Sequence, residues 1–170
     1  ENIGVGARNL GLKCAKGEIV ITLDDDVSGL GDEEINNLVG KFRSDQNVGA
    51  VNFKVLDHMT GQLCNWVHHC RCEDYCNTEF LTYEITEGAV AFRKCVLEEV
   101  GYYSETFFLS HEGPDLAFRI LDKGYSVIFF PAVAVIHSHS DLGRKSWLRY
   151  YYDTRNLLWL AARNLPFFYA

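Results

Sequence analysis

Three aspartates in a row, Asp24-Asp25-Asp26, and a second acidic segment, His111-Glu112-Gly113-Pro114-Asp115, carry the side chains best suited to chemistry in this chain. Adjacent carboxylates repel one another unless they share a cation or a set of hydrogen-bond donors. A solvated acidic turn is the alternative for the triplet. Glu112 and Asp115 lie just before and at the start of an expected helix, where the dipole favours negative charge. Asp115 also reads as a first-turn acid with Arg119 as its i+4 partner. Glu112, outside that helix, is freer to reach a substrate and take a proton. The third candidate is His137, at the end of an expected strand and followed by Ser138-His139. Two carboxylates and an imidazole converging on one cation suit a divalent metal.

Two other metal readings compete. Asp24, Asp26, Ser28, Gly29, Leu30 and Asp32 match positions of a calcium-binding loop, but the bidentate acid needed at its end is Ile35 here, which excludes it. Cys64, Cys70, Cys72 and Cys76 lie beside His68 and His69, which resembles a zinc ligand set. Structural zinc sites usually contain a C-x-x-C pair, and none is present. The other reading is buried or idle cysteines in a long connection.

The elements that must position these groups follow from the hydrophobic pattern. Glu18 to Leu23 is short, apolar and β-branched, so it reads as a buried strand that sets the aspartates at the carboxyl edge of a sheet. Ligands of open α/β sheets sit at that edge. A short helix is expected from Ala7 to Cys14, ended by Gly17, and a second from Glu33 to Phe42, capped by Asp32 with Ile35, Leu38, Val39 and Phe42 on one stripe. Val48 to Leu56 reads as a strand, and residues 62 to 83 have no clear pattern. Glu87-Gly88-Ala89 precedes the apolar strip Val90-Ala91-Phe92. Arg93 to Val100 reads as a helix ended by Gly101. Pro114 suits the first position of a helix over Asp115 to Lys123. Ser126 to Phe130 and Val133 to His137 read as strands separated by Pro131. Helices alternating with strands imply an α/β fold with a mostly parallel sheet flanked by helices, which would bring His137 to the aspartate edge. The last helix, Ser146 to Asn164, carries Trp147, Tyr150, Tyr151, Leu157, Leu158 and Ala161. It suits a membrane interface or packing on its own domain.

The chain of 170 residues is long enough for one domain with a core, and its 48% apolar and 23% charged residues are ordinary globular composition. Of the net charge of -7, residues 144 to 170 contribute +4 through Arg144, Lys145, Arg149, Arg155 and Arg163 against Asp153, leaving about -11 on the body. An acidic body argues against nucleic acid as a partner. Six cysteines without a secretory signal read as reduced thiols, consistent with a cytoplasmic location. The opening Glu1-Asn2 lacks an initiator Met and reads as the start of an excised domain. The expected organisation is a core over residues 1–143 and a basic, aromatic helix over 144–170.

The residues in order resemble the family 2 glycosyltransferases of the GT-A fold, a Rossmann-like α/β architecture. The matching stretches are Asn2-Ile3-Gly4, Ala7-Arg8-Asn9-Leu10-Gly11, Ala15-Lys16-Gly17-Glu18 and Leu23-Asp24-Asp25-Asp26. After them come Gly88-Ala89 with Phe92-Arg93, Glu99-Val100-Gly101-Tyr102, Glu112 to Asp115, Leu116, Arg119, Gly124-Tyr125, Pro131 and His137. Tyr150-Tyr151 and Arg155-Asn156 resemble the tail of rhamnosyl- and galactofuranosyl-transferase-like members.

The resemblance implies an inverting transferase of the hexosyltransferase class, working in cell-wall or polysaccharide biosynthesis. It implies a nucleotide-diphosphate sugar donor and a glycan or lipid-linked acceptor. It implies that Asp24, Asp26 and His137 hold Mg²⁺ or Mn²⁺, that Asp24, Asp25 and Arg8 meet the donor, and that Glu112, with Asp115 next in line, is the base. Two departures stand out. The family's first βαβ unit would lie upstream of Glu1, so this chain alone is expected to be a poor enzyme. Gly113 stands where many members carry an acidic residue. A non-catalytic truncated transferase module and a cysteine-histidine zinc module are the alternatives. A lipid-linked acceptor further implies weak peripheral attraction of the basic helix to anionic membranes.

Overall fold

The helix α1 (Gly6–Cys14) runs into β1 (Ile19–Leu23) through Gly17, and the aspartate triplet follows β1 directly. The computed structural model describes residues 2–138 and 146–166. Beyond the triplet come β2 (Val27–Ser28), α2 (Asp32–Ser44) and β3 (Val48–Asp57). A long excursion holds α3 (Cys72–Tyr75) and β4 (Phe80–Leu81). Then follow β5 (Ala89–Arg93), α4 (Lys94–Val100), α5 (Glu112–Asp122), β6 (Ser126–His137) and α6 (Ser146–Asn164).

The sheet order is β1-β5-β3-β6-β2, with β4 also paired to β6. β3 and β6 are parallel, and β5 is antiparallel to both β1 and β3. The three principal strands β1, β3 and β6 therefore share one direction, as expected, while the hydrogen-bonded sheet is mixed. The excursion explains this. After β3 the chain wanders on the carboxyl side of the sheet and re-enters from there, so β5 must run back.

Helices cover both faces. Leu12 of α1, Val96 and Leu97 of α4, and Leu116 and Ile120 of α5 pack with Phe92 and Val90 on one face. Leu38 and Phe42 of α2 pack with Val51, Phe53 and Val55 on the other. Burial on both faces is why β3 and β5 read as nearly continuous apolar runs.

Three boundaries differ from the sequence reading. Ser126 to His137 is one strand, not two; its register against β3 shifts between Phe53 and Lys54, so Pro131 sits in a bulge where a missing N–H costs no ladder bond. Asp32 is the first residue of α2 rather than its cap. Gly31 takes the cap position, and its N–H donates to Glu34 Oε2 at 3.1 Å. Helix α5 starts at Glu112, so Pro114 is its third residue, where the N–H has no helical partner in any case. Glu112 is therefore inside the helix, not outside it as expected.

The excursion is held by an aromatic cluster. Trp66 and His68 stack edge-on at 4.9 Å, and both pack on Phe80 and Phe129. Burial pushes the His68 imidazole down to about 4, which keeps it neutral. Cys64, Cys70, Cys72 and Cys76 are free thiols, and among the described residues no three His, Cys, Asp or Glu side chains gather to hold a metal ion.

Helix α6 divides the two expectations for it. Trp147, Tyr150, Tyr151, Leu157 and Leu158 are exposed. Arg155 turns inward onto backbone carbonyls, whereas Arg163 reaches Asp115 yet stays nearly half exposed and Arg149 is exposed. Arg144, Lys145 and His139 lie outside the described residues. Among those described, no helix is long and apolar enough to cross a membrane.

Candidate active site

The aspartate triplet forms a turn across the carboxyl edge. Asp24 N–H donates to Gly88 O at 3.1 Å, Val27 N–H to Asp24 O at 3.1 Å, and Ser138 N–H to Asp26 O at 2.8 Å. These bonds tie the start of β5 to the end of β6. Gly88 adopts φ +80, and a Cβ there would run into the Asp24 carboxylate, so this position requires glycine.

The three aspartates part company at this turn. Asp26 Oδ2 lies 3.2 Å from His137 Nε2. Asp24 Oδ1 accepts instead from Arg8 Nη2 at 2.6 Å. Asp25 is exposed at the tip. The expected trio of Asp24, Asp26 and His137 is thus split, because the Arg8 guanidinium on α1 claims Asp24.

Divalent-ion chemistry can be judged from Asp26 and His137. Asp26 Oδ1 is enclosed without a hydrogen-bond partner, although a buried carboxylate oxygen normally has one. The His137 Nδ1 lies 3.1 Å from the Asn65 amide, which fixes the ring. Flipping that amide makes its oxygen accept from Nδ1–H and leaves an Nε2 lone pair for a metal. One carboxylate and one imidazole, with phosphate and water completing the shell, suit Mg²⁺ or Mn²⁺. The residues present fit such an ion.

A second acidic group faces Arg8. Its Nη1 is 3.9 Å from both Glu87 Oε2 and Glu112 Oε1. Glu112 is 1% exposed, and its Oε2 is enclosed and unpartnered. Burial raises the pKa of Glu112, against the pull of Arg8. Burial, then the Glu112 charge, raises Glu87 as well. Burial disfavours charge on both, so the neighbouring carboxyl groups together retain a proton where isolated carboxylates have lost theirs. For Arg8 desolvation is the largest single effect and opposes the charge, but the Asp24 hydrogen bond together with the nearby negative charges outweighs it and the pKa is raised. Tyr103 lies enclosed near the group; burial and then the Glu87 charge push its hydroxyl up.

Glu87 also accounts for Gly113. The Gly113 N–H donates to Glu87 Oε1 at 2.9 Å. A Cβ on Gly113 would sit 2.9 Å from that same oxygen and 2.8 Å from Ile85 O. The space of a side chain at 113 is filled by a carboxylate arriving from the start of β5.

Asp115 does not join this group. It is fully buried, and Arg119 binds its Oδ2 through Nε at 3.1 Å and Nη2 at 3.0 Å. Arg163 Nε at 3.3 Å and Asn164 Nδ2 at 3.1 Å hold its Oδ1. With both oxygens occupied by cationic donors, Asp115 has no lone pair for a substrate proton. It is corrected here from candidate base to structural anchor between α5 and α6.

The sequence reading missed Glu87, Asn65 and Tyr103. Only Glu87 left a signal, a carboxylate directly ahead of the Gly88-Ala89 entry to β5.

A cleft of about 340 Å³ opens beside these residues, lined by Arg8, Glu112, Phe108 and Leu109 among others. Phe108, Ser110 and His111 all have φ between 65 and 69. Left-handed non-glycine residues cost about 1–3 kcal/mol each and cluster at functional sites.

The raised acid pair gives a stability prediction. A carboxyl group with a raised folded pKa contributes stability that is fully present below its unfolded pKa and lost as pH rises through the folded one. For Glu87 that window runs from about 4.5 to about 8. Glu87→Gln mimics the protonated form at every pH. Denaturant unfolding in metal-free buffer is expected to show wild type losing stability between pH 5 and 8.5 relative to the variant. Parallel curves for the two proteins would contradict the buried pair.

No protein-family model matches the chain. It is 26% identical over 159 residues to the O-antigen chain rhamnosyltransferase RfbN of Salmonella typhimurium strain LT2, covering 86% of this chain and 49% of that protein. The chain thus spans about half the length of the curated relative it matches. The crystal structure of GalNAc-T7 with UDP, GalNAc and Mn²⁺ superposes with a TM-score of 0.70 at 15% identity, covering 93% of this chain and 34% of that one. The mannosyltransferase PcManGT from Pyrobaculum calidifontis, in complex with GDP-Man and Mn²⁺, superposes at 0.61 with 22% identity, covering 94% and 42%. The chain has the fold of GT-A glycosyltransferases, as the residue pattern implied.

Proposed function

We propose that this chain is the metal-assisted transfer region of an inverting glycosyltransferase that moves a hexosyl-type sugar from a nucleotide-diphosphate sugar to a glycan or lipid-linked acceptor. The observation that carries the reading is the pairing of two sites along one sheet edge: Asp26 with His137, and Glu112 with Glu87 and Arg8. The named relative's rhamnosyl chemistry and the UDP and GDP-Man of the two solved structures support the donor class.

Asp26 and His137 would hold Mg²⁺ or Mn²⁺, which when bound neutralises charge on the leaving diphosphate. Glu112 takes the proton from the acceptor hydroxyl while its oxygen bonds to the anomeric carbon, and the bond from that carbon to the phosphate oxygen breaks with its electron pair leaving on the diphosphate. Burial raises the pKa of Glu112, which strengthens it as a base near neutral pH. Arg8 holds Asp24 and keeps the acid pair from binding a second proton. Arg8, Asp24 and exposed Asp25 would meet the donor. A purely structural module has no use for a buried Glu112 facing a second, partly buried carboxyl group, since their desolvation lowers stability at neutral pH.

The test is nucleotide-sugar turnover by the full-length protein, with chelator and Mn²⁺ add-back. Asp26→Asn keeps the shape but weakens the ligand. It is expected to raise the Mn²⁺ concentration for half-activity by at least the roughly 10- to 100-fold seen when groups that merely support metal ligands are altered, since Asp26 would be a ligand itself. Unchanged Mn²⁺ dependence would remove Asp26 from the metal site.

The exposed apolar stripe of α6, with exposed Arg149 and Arg163 on the same helix, supports weak peripheral contact with a membrane. Liposome co-sedimentation checks this. Equal binding by wild type and a Trp147→Ala/Leu158→Ala variant would discard it.

A further inference from the structure

We infer that Asn156 is a positioning residue for Glu112, acting through the loop that leads into α5. The inference rests on the reading of Glu112 as the base. Phe107 to His111 connect the cleft wall to Glu112, and three of them are non-glycine residues in the left-handed region: Phe108 at φ 65, Ser110 at 69 and His111 at 66. Such a loop relaxes unless it is held from outside.

Asn156 holds it. Its Nδ2 lies 2.9 Å from Phe107 O, 2.6 Å from Leu109 O and 2.8 Å from Ser110 O, and the residue is fully buried. Its Oδ1 accepts from Arg155 Nε at 2.9 Å. That network fixes which end of the amide is nitrogen, because carbonyls can only accept and Arg155 can only donate. Arg155 Nη2 adds bonds to Thr106 O at 3.1 Å and Phe107 O at 2.8 Å, with its guanidinium over the Trp159 ring at 4.2 Å. His111 Nε2 meets Asp153 Oδ1 at 3.2 Å. On the other side, Val5 N–H donates to Phe108 O at 2.9 Å. The loop is thus gripped between α1 and α6. The residue immediately after its last left-handed position is Glu112.

A buried amide whose two N–H groups are shared among three converging carbonyls is hard to replace. Aspartate has the same shape but only acceptors, so it repels the carbonyls it should bind. The base works only when its carboxylate is held within about 0.5 Å of its productive position, at hydrogen-bond distance from the acceptor hydroxyl. Asn156 touches no substrate in this arrangement.

The experiment compares Asn156→Asp and Asn156→Ser with Glu112→Gln in the full-length protein, well below each variant's melting temperature. The expected result is a 10- to 100-fold fall in kcat for Asn156→Asp. Nucleoside diphosphate affinity in Mn²⁺, read by calorimetry, should stay within twofold, because Asp26 and His137 do not touch the loop. Adding Ser110→Gly to Asn156→Ser should recover at least half of the lost kcat, since glycine takes the left-handed geometry without strain. Folded Asn156→Asp with kcat within twofold of wild type overturns the proposal while a slow Glu112→Gln leaves the base intact. Normal turnover by Glu112→Gln overturns the base reading and this inference with it. Failure of both Asn156 variants to fold assigns the residue to stability and overturns the positioning role.

Discussion

Glu112→Gln in the full-length protein is expected to turn over about 10²- to 10⁴-fold more slowly than wild type, the usual cost of losing one general base. The substitution keeps the volume and one oxygen, and it leaves the loop and α5 in place. What it removes is the proton acceptor. Donor affinity should change little, because the Asp26 and His137 site is built on other elements. The acid limb of the kcat/KM profile should lie above the ordinary carboxylate range in wild type, since burial raises the pKa of Glu112. In the variant that limb should vanish from the residual activity. Steady-state kinetics across pH check both points. Near-normal turnover would transfer the base role to Glu87, which shares the proton and is about one quarter exposed.

Asp115→Ala is expected to do the opposite: a large loss of stability with a far smaller effect on the chemistry of the folded molecule. The carboxylate is 1% exposed and is shared by Arg119 and Arg163. Removing one partner of a fully buried ion pair costs about 3–5 kcal/mol, and the loss here is expected at or below the low end, because Arg119 and Arg163 keep part of their side chains in water. Arg119 also donates to the carbonyls of Val100, Gly101 and Tyr102, so the α4–α5 connection loosens with it. Urea unfolding measures this. A loss under about 1 kcal/mol, the value of an exposed ion pair, would show that Asp115 is not the anchor described. Two acids three positions apart on one helix turn thus separate by environment. One is ringed by cationic donors, whereas the other has one oxygen without a partner.

That separation marks how far the sequence could be read. The strand before the aspartates, the return of His137 to the same edge and the helix over Asp115 to Lys123 were legible, because hydrophobic period and short β-branched runs report on burial, although Glu112 was placed just outside that helix. Asp26 meeting His137 follows from strand ends alone. The partner of Asp24 was not legible, since Arg8 lies on a helix and nothing in its spacing says which acid it faces. Glu87 was missed for a related reason. Its importance comes from the space left by Gly113, a contact between residues 26 positions apart. The reversed direction of β5 was hidden by the unpatterned stretch after β3, which sets the edge from which the chain returns. The Pro131 bulge looked like a strand break because proline ends ladders more often than it bends them.

The most direct measurement of the central claim is an anomalous-scattering map of the full-length protein crystallised with Mn²⁺ and a nucleoside diphosphate. The account predicts a manganese peak against Asp26 and His137, with the diphosphate on it and Glu112 facing the same cleft. A manganese peak away from that pair, or a nucleotide bound elsewhere than the carboxyl edge of the sheet, would contradict it.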